Sequence, residues 1–106
     1  MATNNFKLIA SSSVSGTSDS LINTAAAATT LVIHSVYITN VGAAASYANV
    51  KVEDSSAAIT SHIAYNTEIP SGETLILDKP LNLETGDKLY VRGNNLQVTV
   101  SALEIS

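Results

Sequence analysis

The sequence predicts an all-β fold, a single antiparallel β-sandwich of jelly-roll or immunoglobulin-like topology with eight or nine strands. Short runs from Ile69 to Ile105 alternate apolar and polar residues between regularly spaced turn signals, which is typical of antiparallel strands. The apolar residues are mostly small and aliphatic, with no Trp and 1 Phe, so the core should be a thin layer between two sheets.

The length of 106 residues corresponds to one domain. We expect a loose N-terminal arm over residues 1–5 and the sandwich over residues 6–106. Cysteine is absent, which excludes a disulfide framework, a thiolate metal site and a cysteine nucleophile. No apolar run approaches the roughly 20 residues of a membrane helix and no export signal is recognisable, so we expect a soluble chain that binds no membrane.

The first part of the chain predicts three strands. A first strand falls within residues 5–13, and a short second strand within Ser20–Thr24. The run Ala25–Ala28 has high helix propensity, but it is so short that a turn or bulge is favoured over a helix. Thr30–Asn40 is apolar on both faces, which predicts either a central strand or a strand with one face against another subunit.

The middle of the chain predicts two further strands. Val41–Ala45 is a turn, and the alternation from Ala48 to Val52 predicts a half-exposed strand after it. Ile59–Ile69 predicts the next strand, with Ile63 and Tyr65 facing inward.

The C-terminal third begins with Ile69–Gly72, which fits a type I turn with Pro at the second position. Leu75 and Leu77 then share one face of a strand. Pro80 interrupts the ladder, and Leu81–Leu83 resumes it as a short edge strand.

Two more turns complete the chain. Glu84–Asp87 leads into a strand with Leu89 and Val91 inward, and Gly93–Asn95 predicts a tight hairpin. In the last strand the apolar alternation changes phase after Ala102, which predicts a bulge there.

The charge pattern argues against nucleic-acid binding. The net charge is −4, and the five basic residues are scattered along the chain, whereas a phosphate-binding face needs several cations on one surface. Only 13% of residues are charged, and a surface so poor in charge is typical of a protein that works in an assembly.

The titratable residues suggest two metal sites, neither of which is favoured. His34 and His62 could meet across a sheet, but zinc needs further ligands; we expect one histidine to be buried and hydrogen-bonded and the other on the surface. Calcium needs six to eight oxygen ligands. We interpret the acidic residues at strand ends as solvated turn carboxylates, and we expect Asp87 to close its own turn. These residues are Glu53, Asp54, Asp78, Glu84 and Asp87.

No motif supports catalysis. The sequence lacks a Gly-x-Ser-x-Gly elbow, a Ser-x-x-Lys motif and a Gly-rich phosphate loop, and no Trp is available to line sugar subsites. We therefore expect no enzymatic activity and no cofactor.

Tyrosines can stack on sugars or bases, or anchor a protein interface, because each combines a large ring with a polar tip. A subunit interface is the best-supported functional reading, and we expect Tyr37 and its predicted same-face neighbours Leu31 and Ile33, together with Phe6, to form it.

Five segments of the chain resemble small virion structural proteins of tailed bacteriophages, especially of marine and cyanobacterial phages. They are Ala2–Lys7, Leu31–Asn40, Ile69–Leu75, Leu83–Leu89 and Val98–Ile105. Where that family has Thr-Val-Pro before its central strand, this chain has Asn23–Ala25.

The resemblance implies a non-enzymatic virion component, assembled in the host cytoplasm, with no catalytic residues. The leading expectation is a capsid decoration (cement) protein, a homo-oligomer with a trimer favoured, that binds the major capsid protein or other virion proteins. Its arm, Met1–Phe6, would add a strand to a neighbour's sheet. The alternatives are a tail, neck or fibre-associated protein and, from another class, a carbohydrate-binding module.

Overall fold

The computed structural model describes residues 4–15, 19–25, 29–56, 59–78 and 81–105. Within these ranges the chain forms strands and no helix, and therefore no helix able to cross a membrane. The strands are β1 (Asn4–Val14), β2 (Ser20–Thr24), β3 (Thr30–Asn40), β4 (Ser46–Asp54), β5 (Ile59–Ile69), β6 (Thr74–Leu77), β7 (Leu81–Leu83), β8 (Lys88–Arg92) and β9 (Leu96–Ile105).

The strands form two antiparallel sheets, as the sequence predicts. One sheet has the order β1-β9-β3-β6, with β7 also paired to β3, and the other has the order β2-β8-β4-β5. If β6 and β7 are taken as one interrupted strand, the first strand pairs with the last, the second with the penultimate, and so on inward to the β4–β5 hairpin. This nested pairing is that of a jelly roll and not of an immunoglobulin domain.

The turn at Gly93–Asn95 differs from its prediction. It does not close a hairpin, because β8 and β9 belong to different sheets and the turn carries the chain from one sheet to the other. Asn95 has a φ of 54°, so the segment does contain a residue with positive φ, but this residue forms a corner between the sheets and not a hairpin.

The core lies between the two sheets and is built from the small aliphatic residues that the composition predicts. Its fully buried members come from both sheets and include Ile33, Ile38, Val50, Leu89 and Val98. Each buried Val, Leu or Ile contributes about 1.5–3 kcal/mol of hydrophobic free energy. The strand β3 lies between β9 on one side and β6 and β7 on the other, which confirms the predicted central position. Its outer face is not buried within the chain, since Tyr37 is exposed at 39%.

One end of the sandwich is held by Asn40, a fully buried polar side chain. Its Nδ2 donates to the carbonyl oxygens of Ala44 and Ile69, both at 2.8 Å, and its Oδ1 accepts from the backbone N–H of Gly42 at 2.9 Å. The β3–β4 loop and the end of β5 are thereby fixed to the end of β3.

Two glycine turns follow the same geometry. The backbone N–H of Glu73 donates to the Pro70 oxygen and that of Asp87 to the Glu84 oxygen, and the third residue of each turn, Gly72 or Gly86, has a φ of 79° or 87°. Glycine with positive φ at the third position is the signature of a type II turn. The first turn therefore begins at Pro70, one residue later than predicted, and is not type I.

The predicted bulge in β9 lies instead in its neighbours. The register shifts between Leu8 and Ala10 in β1 and between Ile33 and Ser35 in β3, so each of these strands carries one extra residue opposite β9. The strand β9 keeps its alternation, with Val98, Val100 and Ala102 all buried.

Shifts of register also reverse the prediction for β5. The pairing with β4 is irregular on both sides of Val50, and Asn66 has a φ of 46°. Ala64 is buried, while Ile63 and Tyr65 are exposed at 42% and 65%. The expectation that these two residues face inward is wrong, because bulges redirect side chains that simple alternation would place in the core.

The structure bears on two N-terminal expectations. Asn4 and Asn5, inside the predicted arm, are part of β1 and pair with Ile105 and Glu104 of the same chain. The strand β1 lies at the edge of its sheet, so within the described part of the chain it pairs with a strand on one side only. Residues 1–3 and most of the alanine run, 26–28, lie outside the described ranges; Ala25 itself is buried.

Candidate interaction surface

The four residues predicted to form an interface do not share one face. Leu31 and Ile33 are core residues, exposed at 3% and 1%, whereas Tyr37 points outward at 39%. The extra residue His34 changes the phase of β3 between them, so the predicted common face is wrong. Tyr37 remains a candidate contact. Phe6 lies in β1 opposite Leu103, and its side chain is outside the described part of the structure.

Among the described side chains, the outer surface of the five-stranded sheet carries no Asp, Glu, Lys or Arg. Directly paired residues of an antiparallel sheet point the same way, so register and burial identify the outward set. We call this surface the neutral face, and its described side chains include Leu8, Ser13, Thr30, Val32, His34, Tyr37, Thr39, Thr74, Ile76, Asn82, Gln97, Thr99, Ser101, Leu103 and Ile105.

Tyr37 lies near the middle of the neutral face. Its Cα partners are Ile76 on β6 and Thr99 on β9, and Ile76 is exposed at 53%. Beside them the hydroxyl groups of Thr39 and Thr74 hydrogen-bond to each other at 2.9 Å. The centre of the face therefore presents an aromatic ring, an aliphatic side chain and hydroxyl groups that are already paired.

The outer surface of the four-stranded sheet has the opposite character. Lys51 forms an ion pair with Asp19 and lies 5.6 Å from the centre of the Tyr90 ring, and Lys88 lies 3.7 Å from the Glu53 carboxylate. Such partly exposed pairs contribute little to stability but keep a surface hydrated. The two sides of the sandwich thus differ in charge although their inner surfaces are equally apolar.

A small cleft opens at the side of the sandwich where the edge strands β5 and β6 approach each other. Its volume is about 260 Å³, and it is lined by Ile63, Ile76, Leu77 and Asp78. Ile76 belongs both to this cleft and to the neutral face, so the exposed apolar surface continues around the edge of the sheet.

The two histidines lie in different sheets and both are exposed, contrary to the expectation that one would be buried. His34 Nδ1 is 3.2 Å from the Ser35 hydroxyl, and the His62 ring makes an edge contact with Tyr65 at 4.9 Å. In the described ranges no group of three or more acidic or histidine side chains is placed to hold a metal ion.

The predicted turn carboxylates act on the backbone. Asp87 Oδ2 accepts from the Glu84 N–H at 2.9 Å and its Oδ1 from the Ser55 N–H at 3.0 Å, which confirms that Asp87 closes its turn and shows that it also ties this turn to the β4–β5 turn. Asp54 accepts from the Ser56 N–H at 3.1 Å. These contacts give Asp54 and Asp87 structural roles.

Sequence reasoning missed Ile76 as a surface residue. The signal was available, because Leu75 and Leu77 were expected on one face and a strand must then place Ile76 on the other. The outward Ile63 and Tyr65 gave no such signal, since their orientation depends on bulges.

Comparison with known proteins identifies a fold. No protein-family model matches this chain, and no curated protein matches it. Among solved structures, the chain is similar to a chain in the structure of infectious bursal disease virus, Gx strain, with a TM-score of 0.63 and 12% sequence identity. The match covers 99% of this chain and 33% of the viral chain, so this chain spans about a third of the length of the chain it resembles in fold.

Proposed function

We propose that this chain is a non-enzymatic structural protein of a virus particle. The observation that carries the proposal is the fold: a single jelly roll whose whole length is similar to part of a chain in a virus structure. The resemblance of its turn and strand segments to small virion proteins of tailed bacteriophages supports the same class of function.

The surface supports a role in assembly and not in catalysis. The carboxylates of Asp54 and Asp87 bond to backbone N–H groups, and the neutral face offers an aromatic and aliphatic centre without carboxylates or basic groups among its described side chains. Depletion of charge and enrichment in aromatic residues distinguish the centre of protein interfaces from other surfaces.

Within the virion, we propose a capsid decoration protein that binds between subunits of the major capsid protein. A protein that binds only the assembled lattice stabilises that lattice by mass action, in the way that a ligand stabilises the folded state it binds. The protein would then be a component of the virion, with no role in binding nucleic acid or membrane.

The number of copies per particle tests this assignment against a tail, neck or fibre-associated role. Quantitative mass spectrometry of purified virions, with the major capsid protein as internal standard, should give copies in the hundreds for a decoration protein. A few to a few dozen copies would instead assign the protein to the tail or neck, and absence from the particle would contradict a virion role altogether.

A carbohydrate-binding module is the second candidate, because jelly rolls also occur in lectin domains and Tyr65 exposes an aromatic ring beside His62. Binding of the purified protein to a glycan array would support that candidate. If the binding disappeared on chelation it would further indicate an ion-dependent site.

A further inference from the structure

We propose that the neutral face is a self-association surface, on which a second copy of this chain packs its own neutral face about a two-fold axis. The proposal goes beyond the virion role and does not depend on it. It replaces, for this surface, the three-fold assembly implied by the sequence resemblance.

The first argument is electrostatic. Each copy has a net charge of −4, and a contact between surfaces without carboxylates avoids placing like charges directly opposite each other. A dimer formed through the outer surface of the four-stranded sheet would have to desolvate the ion pairs of that surface, which include Lys51–Asp19 and Lys88–Glu53. The described side chains of the neutral face include no Asp, Glu, Lys or Arg that would have to be desolvated or matched.

The second argument is composition at the centre of the face. Tyr37 and Ile76 are direct neighbours across β3 and β6 and are exposed at 39% and 53%. A large ring next to an aliphatic side chain is typical of the residues that dominate binding energy at interface centres. In a two-fold pairing the same patch supplies both halves of the contact, so one such pair per copy suffices.

The third argument is area. The sheet is four strands wide along its main path, and β9 is 10 residues long. With strands about 4.8 Å apart and a rise of about 3.3 Å per residue, the flat area is roughly 600 Å². Because side chains protrude from the sheet, the accessible area is larger than this flat area. It approaches the roughly 800 Å² that each partner buries in a standard stable interface.

The test places a like charge at the centre of the face. In Thr99→Glu the new carboxylate lies next to Tyr37, and two-fold pairing brings two such groups into one interface. The matched control is Ser61→Glu, the same kind of change at an exposed position of β5 in the other sheet. Sedimentation equilibrium over a concentration series measures the dimer dissociation constant for both variants and the wild type.

We expect a wild-type dimer, a dissociation constant raised by about tenfold or more in Thr99→Glu, and little change in Ser61→Glu. Ile76→Glu, at a more exposed position of the same face, should raise the dissociation constant as Thr99→Glu does. Because its side chain is more exposed, this variant is less able to weaken the dimer by disturbing the fold. Thermal unfolding monitored by circular dichroism confirms that each variant is folded. Because the proposed contact has no ion pair among its described side chains and salt screens the repulsion between two copies of net charge −4, raising the salt concentration should not weaken the dimer.

Three results would overturn the proposal. One is a wild-type protein that stays monomeric up to about 1 mM, since a specific interface of this size binds more tightly. Another is a trimer, because the two-fold pairing of one face closes with two copies. The third is loss of association in Ser61→Glu with retention in Thr99→Glu and Ile76→Glu, which would place the contact on the other sheet.

Discussion

At the scale of single residues, Asn40 shows how one buried polar side chain can organise several loops. It is fully buried, and its amide satisfies two carbonyl groups while its oxygen satisfies an N–H group. The bond to the Ile69 oxygen is buried and the bonds to Ala44 and Gly42 are partly buried, so loss of the Asn40 side chain would remove partners from backbone groups that water reaches poorly.

Replacing Asn40 with Ala should therefore destabilise the fold by about 3 kcal/mol, because each buried polar group left without a partner costs about 1–3 kcal/mol. Urea unfolding at neutral pH measures the change in the free energy of unfolding. The control is Asn82→Ala, an exposed position on β7, which should cost less than about 0.5 kcal/mol. Equal losses at the two positions would show that the Asn40 bonds do not hold this end of the sandwich.

At the scale of one element, β5 shows that two residues of the same type can differ in burial because of strand register. It is an edge strand with several irregularities, and edge strands with bulges are poor templates for pairing with other chains. The same irregularities turn Ile63 towards solvent and leave Ile69 in the core at 2% exposure.

Two substitutions of the same chemistry on β5 test this assignment. Ile69→Ala should cost about 3 kcal/mol, through lost burial and the cavity left behind. Ile63→Ala should cost less than about 1 kcal/mol, because its side chain is already exposed at 42%. Chemical denaturation of both variants at a fixed protein concentration gives the comparison, and a larger loss at Ile63 would mean that its side chain is buried after all.

At the scale of the whole molecule, the nested pairing makes the most distant parts of the chain neighbours. Asn4 at the start of β1 pairs with Ile105 at the end of β9, and the other pairs close inward from there. Folding must therefore close long loops before the outer pairs form, which is typical of slow, millisecond-to-second folding.

A circular permutant tests this feature of the topology. Joining Ser106 to Met1 leaves 4 residues between Ile105 and Asn4, a connection length suited to a hairpin. The new termini fall between the exposed residues Ala43 and Ala44, which keeps the Gly42 N–H and the Ala44 carbonyl that Asn40 binds. Because β1 and β9 then pair locally, we expect refolding measured by stopped-flow to be about tenfold faster than in the wild-type chain. An unchanged rate would mean that the β1–β9 pairing forms only after the rate-limiting step.

The strands themselves could be predicted well from local patterns. Ser20–Thr24, Thr30–Asn40 and Ile59–Ile69 have the predicted bounds, and the turn at Glu84–Asp87 is where Gly86 and Asp87 indicate it. These features depend on neighbouring residues alone, since alternation, proline and glycine act within a few positions of the chain. The all-β class and the thin aliphatic core follow from the same local and compositional signals.

The choice between a jelly roll and an immunoglobulin-like sandwich, the corner at Gly93–Asn95 and the outward turn of Ile63 and Tyr65 were decided only by the tertiary structure. Each depends on which strand pairs with which and in what register, and the extra residue His34 shows the reason. One inserted position moves every later side chain of β3 to the other face, so Leu31 and Ile33 enter the core while Tyr37 reaches the surface. Local alternation specifies that a strand forms, whereas packing against the opposite sheet specifies which of its faces is inside.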